Sequence, residues 1–317
     1  GYDMNWVLSR QDNGEVVAVT GDGTNDAPAL SKAQVGLSMG DGTSRAKEAS
    51  DITIIDNSFA SINKAIMWGR SLYLNIRRFI IFQMTINLCA CMIVLFGAFL
   101  GFESPLTVTQ MLWVNLIMDT FAAMALSSLP ADRRVLEDKP RAVDSHIIDG
   151  AMIRRILCTG ILFFVVLAAL WQVLRCVDVV ALSDVFTSDT MTLFAQRVKT
   201  IDVTAGELTP YEMGLFFSVF VMMQFWNLFN ARYFRTKRSL MEDIIDMFRD
   251  RARVRESYSA YFPIIALVIL IGQVVIVNYA SQLFSVAPLS LNDWLLILAI
   301  TAPVLIIPDI VRLVVKR

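Results

Sequence analysis

A chain of 317 residues that is 56% hydrophobic, with a mean hydropathy of +0.56, carries more apolar surface than a water-soluble fold can bury, so part of it must face lipid. The formal net charge of −1 leaves no basic excess for nucleic acid, which is not expected as a partner, and functional charge must therefore be local. The four cysteines, Cys89, Cys91, Cys158 and Cys176, show neither metal-ligand nor redox spacing, and the first three sit in apolar runs as reduced packing residues.

The chain opens on Gly1-Tyr2-Asp3-Met4 with no secretory signal and reads as a piece of something longer. Residues 1–68 are mixed and soluble in texture. Within them Glu15-Val16-Val17-Ala18-Val19-Thr20 is a short β-branched run that stops at Gly21-Asp22-Gly23-Thr24-Asn25-Asp26, a buried strand ending in an acidic, glycine-rich loop. Ligands of open α/β sheets bind at the carboxyl ends of strands, so Asp22 and Asp26 are placed like Mg²⁺ ligands beside a phosphate, and Gly21 and Gly23 let the backbone approach closely. The same composition also suits an ordinary acidic turn. Val35–Met39 and 51–55 read as further strands separated by a helix at Ser44–Ala49, part of a doubly wound sheet that 68 residues are too few to complete.

From Ser71 onward six apolar runs of membrane-spanning length are expected, near 72–100, 107–128, 152–175, 212–231, 259–280 and 293–315. The polar stretch from Gly69 to Arg78 should be a helical stalk leading into the first. A first pair of spans (69–128 with the stalk), a connector at 129–151 and a four-helix region at 152–317 complete the expected division. Lys and Arg crowd the connectors 129–155 and 231–257 and are sparse at 101–106, 176–210 and 281–292. The basic connectors, the soluble segment and both ends, Lys316-Arg317 included, should then share the cytoplasmic side of a multi-pass membrane protein. Arg249 to Arg255 could touch anionic lipid, although topology alone accounts for its charge. The single histidine, His146, is expected at the surface.

Polar groups inside spans are costly and tend to be functional. Asn115 and Asp119 stand i, i+4 on the second span, so both should present oxygen to one helical face, as a dehydrated hard cation requires. Interhelical hydrogen bonding and a span-end position are the structural alternatives. Asn87 on the first span and Gln224, Asn227 and Asn230 on the fourth are further candidates, with interhelical hydrogen bonding an equal explanation.

The run Thr20-Gly21-Asp22-Gly23-Thr24-Asn25-Asp26-Ala27-Pro28-Ala29-Leu30 resembles the hinge motif of the P-type ATPase phosphorylation domain. The resemblance continues through Ala46-Lys47-Glu48-Ala49-Ser50-Asp51, Asn57-Ser58-Phe59, Gly69-Arg70-Ser71-Leu72-Tyr73 and Gln110-Met111-Leu112-Trp113-Val114-Asn115-Leu116-Ile117-Met118-Asp119-Thr120. Within that family the chain is most similar to calcium pumps of the plasma-membrane type. The resemblance implies an α/β fold, a partial haloacid-dehalogenase-like Rossmannoid phosphorylation domain, followed by an all-α six-helix transmembrane bundle. It implies that Asp22 binds Mg²⁺ and that Asn25 and Asp26 order the metal site and contact the phosphoryl group, with Asp26 a second possible Mg²⁺ ligand. It further implies ATP as substrate, Ca²⁺ as the exported ion, an aspartyl-phosphate intermediate, counter-transport of H⁺, and surrounding membrane lipid.

An Asp-Lys-Thr-Gly-Thr segment, a nucleotide domain and four earlier spans are expected in a missing N-terminal half, without which this chain should be inactive. The family's phosphate-holding Lys lies upstream of the motif, where the sequence reads Gly1-Tyr2-Asp3-Met4-Asn5. Two-site calcium pumps carry an acid, a Thr and an acid where this chain has Ala90, Met118 and Gln224, so one Ca²⁺ per cycle is expected. Pumps for Mn²⁺ or Na⁺/K⁺, or a six-span channel or interaction module without catalysis, are the alternative readings.

Overall fold

The computed structural model describes residues 4–142, 144–176, 179–198, 207–236, 238–249 and 261–315, without the side chains of Cys176, Phe194, Arg197 and Val198. The expected start at Gly1 to Asp3, most of the basic stretch after Arg249 and the tail Lys316-Arg317 lie outside these residues. By contacts the chain divides into two units, Gly1–Leu74 with Ala131–Ile147, and Asn75–Pro130 with Ile148–Arg317.

The first unit contains a three-stranded parallel sheet in the order β1 (Ala18–Gly21), β2 (Val35–Met39), β3 (Ile52–Ile54). Register pairs Thr20 with Leu37 and Ser38 with Thr53. Helices Ala27–Lys32 and Ser44–Ala49 make the two crossovers that parallel strands require. Val7, Val17, Val19, Ala29, Leu30 and Ala46 fill the core on one side, and Leu37, Ile54 and Ile62 pack as a second cluster. Gly36 is forced by packing, because a Cβ there would lie 2.4 Å from the Leu30 carbonyl oxygen.

The helix leading into the membrane starts earlier than hydropathy indicates and runs unbroken over Phe59–Leu100. Its entry is built by Asp56, which accepts the Ser58 N–H at 3.1 Å and the Ser61 hydroxyl at 2.5 Å, after Asn57 in the left-handed region at φ 53°. The Ser61 hydroxyl first, then the Ser58 N–H, holds the Asp56 carboxyl below its usual range. The connector folds back on the stalk: Arg70 donates to the carbonyls of Val135 (2.8 Å) and Asp138 (3.0 Å), Asp132 N–H donates to Ser71 Oγ, and Arg141 lies 4.0 Å over the Tyr73 ring. His146 is exposed there, as expected.

Among the described residues six helices are long and apolar enough to span a membrane: Phe59–Leu100, Val108–Ser127, Gly150–Arg175, Pro210–Arg232, Tyr261–Tyr279 and Leu291–Val315. The fourth is 83% buried in its most apolar window, against 28–39% for the other five, so it forms the centre of the bundle. Phe216, Phe217 and Phe220 on it are fully buried, and Trp171 packs edge-on against Phe96 and Phe102. Lipid gives apolar packing little driving force, so polar crosslinks carry specificity. Asn230 donates to Val304 carbonyl at 2.6 Å and accepts from Arg312 at 3.0 Å, and Trp226 Nε1–H donates to Thr301 Oγ1 at 2.9 Å.

The stalk arginines are not solvated. Arg77 and Arg78 are 2% and 6% exposed: Arg77 pairs with Asp149, and Arg78 donates to Asn75 Oδ1 at 2.8 Å and to the Phe234 carbonyl. Although burial pushes Asp149 upward, the Met152 N–H and the Arg77 guanidinium outweigh it and hold its carboxyl below the usual range. Two spans depart from simple helices. The sixth breaks between Thr301 and Pro303, where proline removes a donor, and the second contains a π-helix over Trp113–Met118 between Val108–Leu112 and Asp119–Ser127. Among the described residues Cys89, Cys91 and Cys158 are free thiols.

Candidate functional site

The first candidate region is the loop at the carboxyl end of β1. Asp26 Oδ2 accepts the backbone N–H of Gly23 at 3.1 Å and of Asp22 at 3.3 Å, folding the loop back before Ala27–Lys32 begins. Gly21 is obligatory for this turn, since a Cβ would stand 2.5 Å from Asp26 Cβ, whereas one at Gly23 would approach no nearer than 3.4 Å. The loop after β2 closes on the same edge: Thr43 N–H donates to the Asp22 carbonyl at 2.8 Å, and a Cβ at Gly42 would meet the Asp22 backbone at 3.1 Å. Asp22 and Asn25 are exposed and Asp26 is half-buried, so the structure gathers the predicted residues at one sheet edge but gives Asp26 a clamping task.

Among the described residues no three His, Cys, Asp or Glu side chains group as a metal cage. Asp22 with one remaining oxygen of Asp26 suits an ion that keeps its own waters and takes phosphate oxygens as well, which is the habit of Mg²⁺.

The second region lies inside the bundle. Asp119 is 4% exposed, and among the described residues neither carboxylate oxygen has a hydrogen-bond partner. A buried carboxylate left without partners costs several kcal/mol (~3 or more), so such a group suits a cation or a proton. Asn115 does not share this environment. The π-helix replaces the regular α-turn assumed for the i, i+4 pair, and Asn115 is exposed where Asp119 is buried.

Gln224 on the fourth span is fully buried with both amide atoms unpartnered, and Asn227 Nδ2 and Ser218 Oγ are orphaned likewise. Asn230 differs, being satisfied by Val304 and Arg312 as an interhelical crosslink. Asn87 is half-buried on the first span. Ala90 and Met118 are buried, at 4% and 1% exposure.

Two residues escaped sequence reading. Gln83 approaches the Asp119 carboxylate without reaching hydrogen-bond geometry, and its place four residues before Asn87 on an apolar span was the available signal. Gln273 on the fifth span is fully buried and accepts Trp113 Nε1–H at 3.1 Å, at the first residue of the π-helix. An amide in the middle of the apolar run Tyr261–Tyr279, where Asn278 stands only at the far end, was its mark.

Residues 103–314 match the family described as cation transporting ATPase, C-terminus, and residues 10–66 match haloacid dehalogenase-like hydrolase. Similar curated proteins include plasma membrane calcium-transporting ATPase 1 of Gallus gallus, 39% identical over 291 residues that cover 90% of this chain and 21% of that protein. Plasma membrane calcium-transporting ATPase 1 of Homo sapiens is 38% identical, with 90% and 21% covered, and plasma membrane calcium-transporting ATPase 2 of Oreochromis mossambicus is 37% identical, with 90% and 23% covered. The chain therefore spans about a fifth of the length of the relatives it matches.

Proposed function

The chain belongs to the cation-transporting ATPases, and from that premise we propose that it supplies part of the ion site and part of the phosphorylation domain of an ATP-driven Ca²⁺ exporter. The observation that carries this reading is Asp119, a carboxylate buried in a membrane bundle with both oxygens unpartnered. Ca²⁺ takes six to eight oxygens, and Asp119 would give charge while Asn87 and Asn115 give neutral oxygens, with Gln224 a further donor. A site with Asn115 exposed is open to ligands from elsewhere in a longer pump, where a Glu and backbone carbonyls of a broken helix would complete it. Ala90, Met118 and Gln224 remove two charges and one hydroxyl relative to a two-ion site. One Ca²⁺ per cycle follows, with H⁺ as the returning ion that would neutralise Asp119 when Ca²⁺ leaves.

At the sheet edge, Asp22 and Asp26 would hold Mg²⁺, which supplies charge neutralisation for phosphoryl transfer from ATP. Asp26 keeps the loop folded through the N–H groups of Asp22 and Gly23, and exposed Asn25 is free to donate its amide to a phosphoryl oxygen on the aspartyl-phosphate.

In the full-length pump, Asp119→Asn should lower Ca²⁺ affinity, read as Ca²⁺-dependent phosphorylation by ATP, by ~100-fold or more, about 2.7 kcal/mol. The protein should still reach the membrane, and the parent pump in sealed vesicles should move one Ca²⁺ per ATP. Unaltered Ca²⁺ dependence in the variant would refute the site, and a ratio of two would refute the single-ion reading.

A further inference from the structure

The ten-residue helix Leu240–Arg249, which follows the fourth span, is built inside out. Its acidic side turns inward. Asp243, 6% exposed, accepts from the Tyr233 hydroxyl at 2.7 Å and from Arg238 Nε at 2.7 Å, and lies 3.8 Å from Arg232; Asp246 pairs with Arg238. Its first turn is pinned to the sixth span, where Asp309 accepts the N–H of Leu240 at 2.8 Å and of Met241 at 3.1 Å. Ser239 and Glu242 close a reciprocal cap at the same end.

The apolar side faces out. Met241, Ile244, Ile245 and Phe248 stand at i, i+3, i+4 and i+7, on one helical face, and are 49%, 41%, 50% and 86% exposed. In water the polarity of such a helix would be reversed, with its apolar stripe packed on the protein and its acids solvated.

The anchor point explains the reversal. Asp309 sits six residues before Val315, about 9 Å inside the end of the sixth span. Around and beyond it Ile306, Ile310, Val311, Val314 and Val315 are 48–78% exposed, the lipid-facing surface of a spanning helix. The helix therefore begins beside an exposed apolar stretch of a span-length helix, and its apolar face continues that surface.

We propose that Leu240–Arg249 is an interfacial helix, lying in the acyl and headgroup boundary of the bilayer with Met241, Ile244, Ile245 and Phe248 inserted and Asp243 locked onto the bundle. Its occupant is phospholipid, and its role is to fix the level at which the fourth and sixth spans meet the membrane surface.

The test is collision accessibility of a nitroxide at Phe248→Cys, and separately at Ile245→Cys, in the full-length protein with its native cysteines replaced by alanine, reconstituted in phosphatidylcholine vesicles. Leu267→Cys, exposed on the fifth span, is the lipid standard, and His146→Cys, exposed in the connector, is the water standard. Both helix sites should resemble Leu267→Cys, with a ratio of oxygen to nickel-chelate accessibility several-fold above that of His146→Cys. A ratio matching His146→Cys would place the face in water and overturn the proposal. Inaccessibility to both reagents would show that protein covers the face, and would overturn it equally.

Discussion

Single residues show where chemistry was legible and where it was not. Asp22, Asn25 and Asp26 could be picked out because glycine and acid clustered after a β-branched run, and all three do gather at the carboxyl edge of β1. What could not be read was the division of labour, since nothing in the letters says that Asp26 Oδ2 is engaged by two backbone N–H groups. That arrangement predicts a contrast. Asp26→Asn retains an acceptor and should keep the loop folded, whereas Asp26→Ala removes two charge-assisted bonds, weakening the loop by about 1.5–3 kcal/mol. Amide exchange at Asp22 and Gly23 in the full-length protein should rise by ~10-fold or more in the alanine variant and stay near the parent rate in the asparagine one. Asp119 was legible for a different reason: a carboxylate amid apolar residues is conspicuous in any sequence. Its lack of partners was not visible there, nor was the approach of Gln83, because both depend on how neighbouring helices are rotated.

At the level of elements, span count and approximate bounds followed from length and hydropathy, since a bilayer needs about 20 apolar residues per helix. The start of the first helix at Phe59 was missed because Ser61, Asn63 and Lys64 break the apolar run ahead of the stalk, and a span-length criterion does not register how far a helix continues outside lipid. The π-helix was equally hidden. Hydrogen-bond register leaves no trace in composition, so neither the π-helix nor the exposure of Asn115 beside buried Asp119 was visible there. Trp113 holds the start of that segment, with its ring against Gly272, where a Cβ would come to 3.1 Å, and its Nε1–H on Gln273. Trp113→Phe keeps most of the ring contact but strips Gln273 of its partner, leaving a wholly buried amide unsatisfied. Thermal unfolding of the purified pump should report a loss of about 1–3 kcal/mol, with a further fall in apparent Ca²⁺ affinity if the segment relaxes toward an α-helix. Normal affinity in a destabilised variant would limit Trp113 to a packing role.

For the whole molecule, the uneven placement of Lys and Arg predicts sidedness: connectors 129–155 and 231–257 on the cytoplasmic face, 101–106 and 281–292 on the other. A cysteine at Glu103 should react with an impermeant maleimide from outside intact cells, and one at His146 only after permeabilisation. The reverse pattern would invert the topology, and the same side for both would change the number of crossings between them. The sheet was recognisable from its strand and crossover rhythm, while the burial of Arg77 and Arg78 against Asp149, Asn75 and Phe234 was not, because charge in a sequence is ordinarily read as solvated. One feature reaches beyond either unit. The helix Phe59–Leu100 has 42 residues and no interruption, a rod of about 63 Å. Asn87 lies 28 residues from its Phe59 end, about 42 Å along the axis, so a swing of only ~5° about that end carries Asn87 sideways by ~4 Å. That exceeds the 2.3–2.6 Å length of a bond from oxygen to Ca²⁺. In a pump that uses Asn87 as proposed, a lever of these proportions would need no joint near the ion: a tilt too small to disturb a side chain at its fulcrum would open or close a coordination shell at its working end.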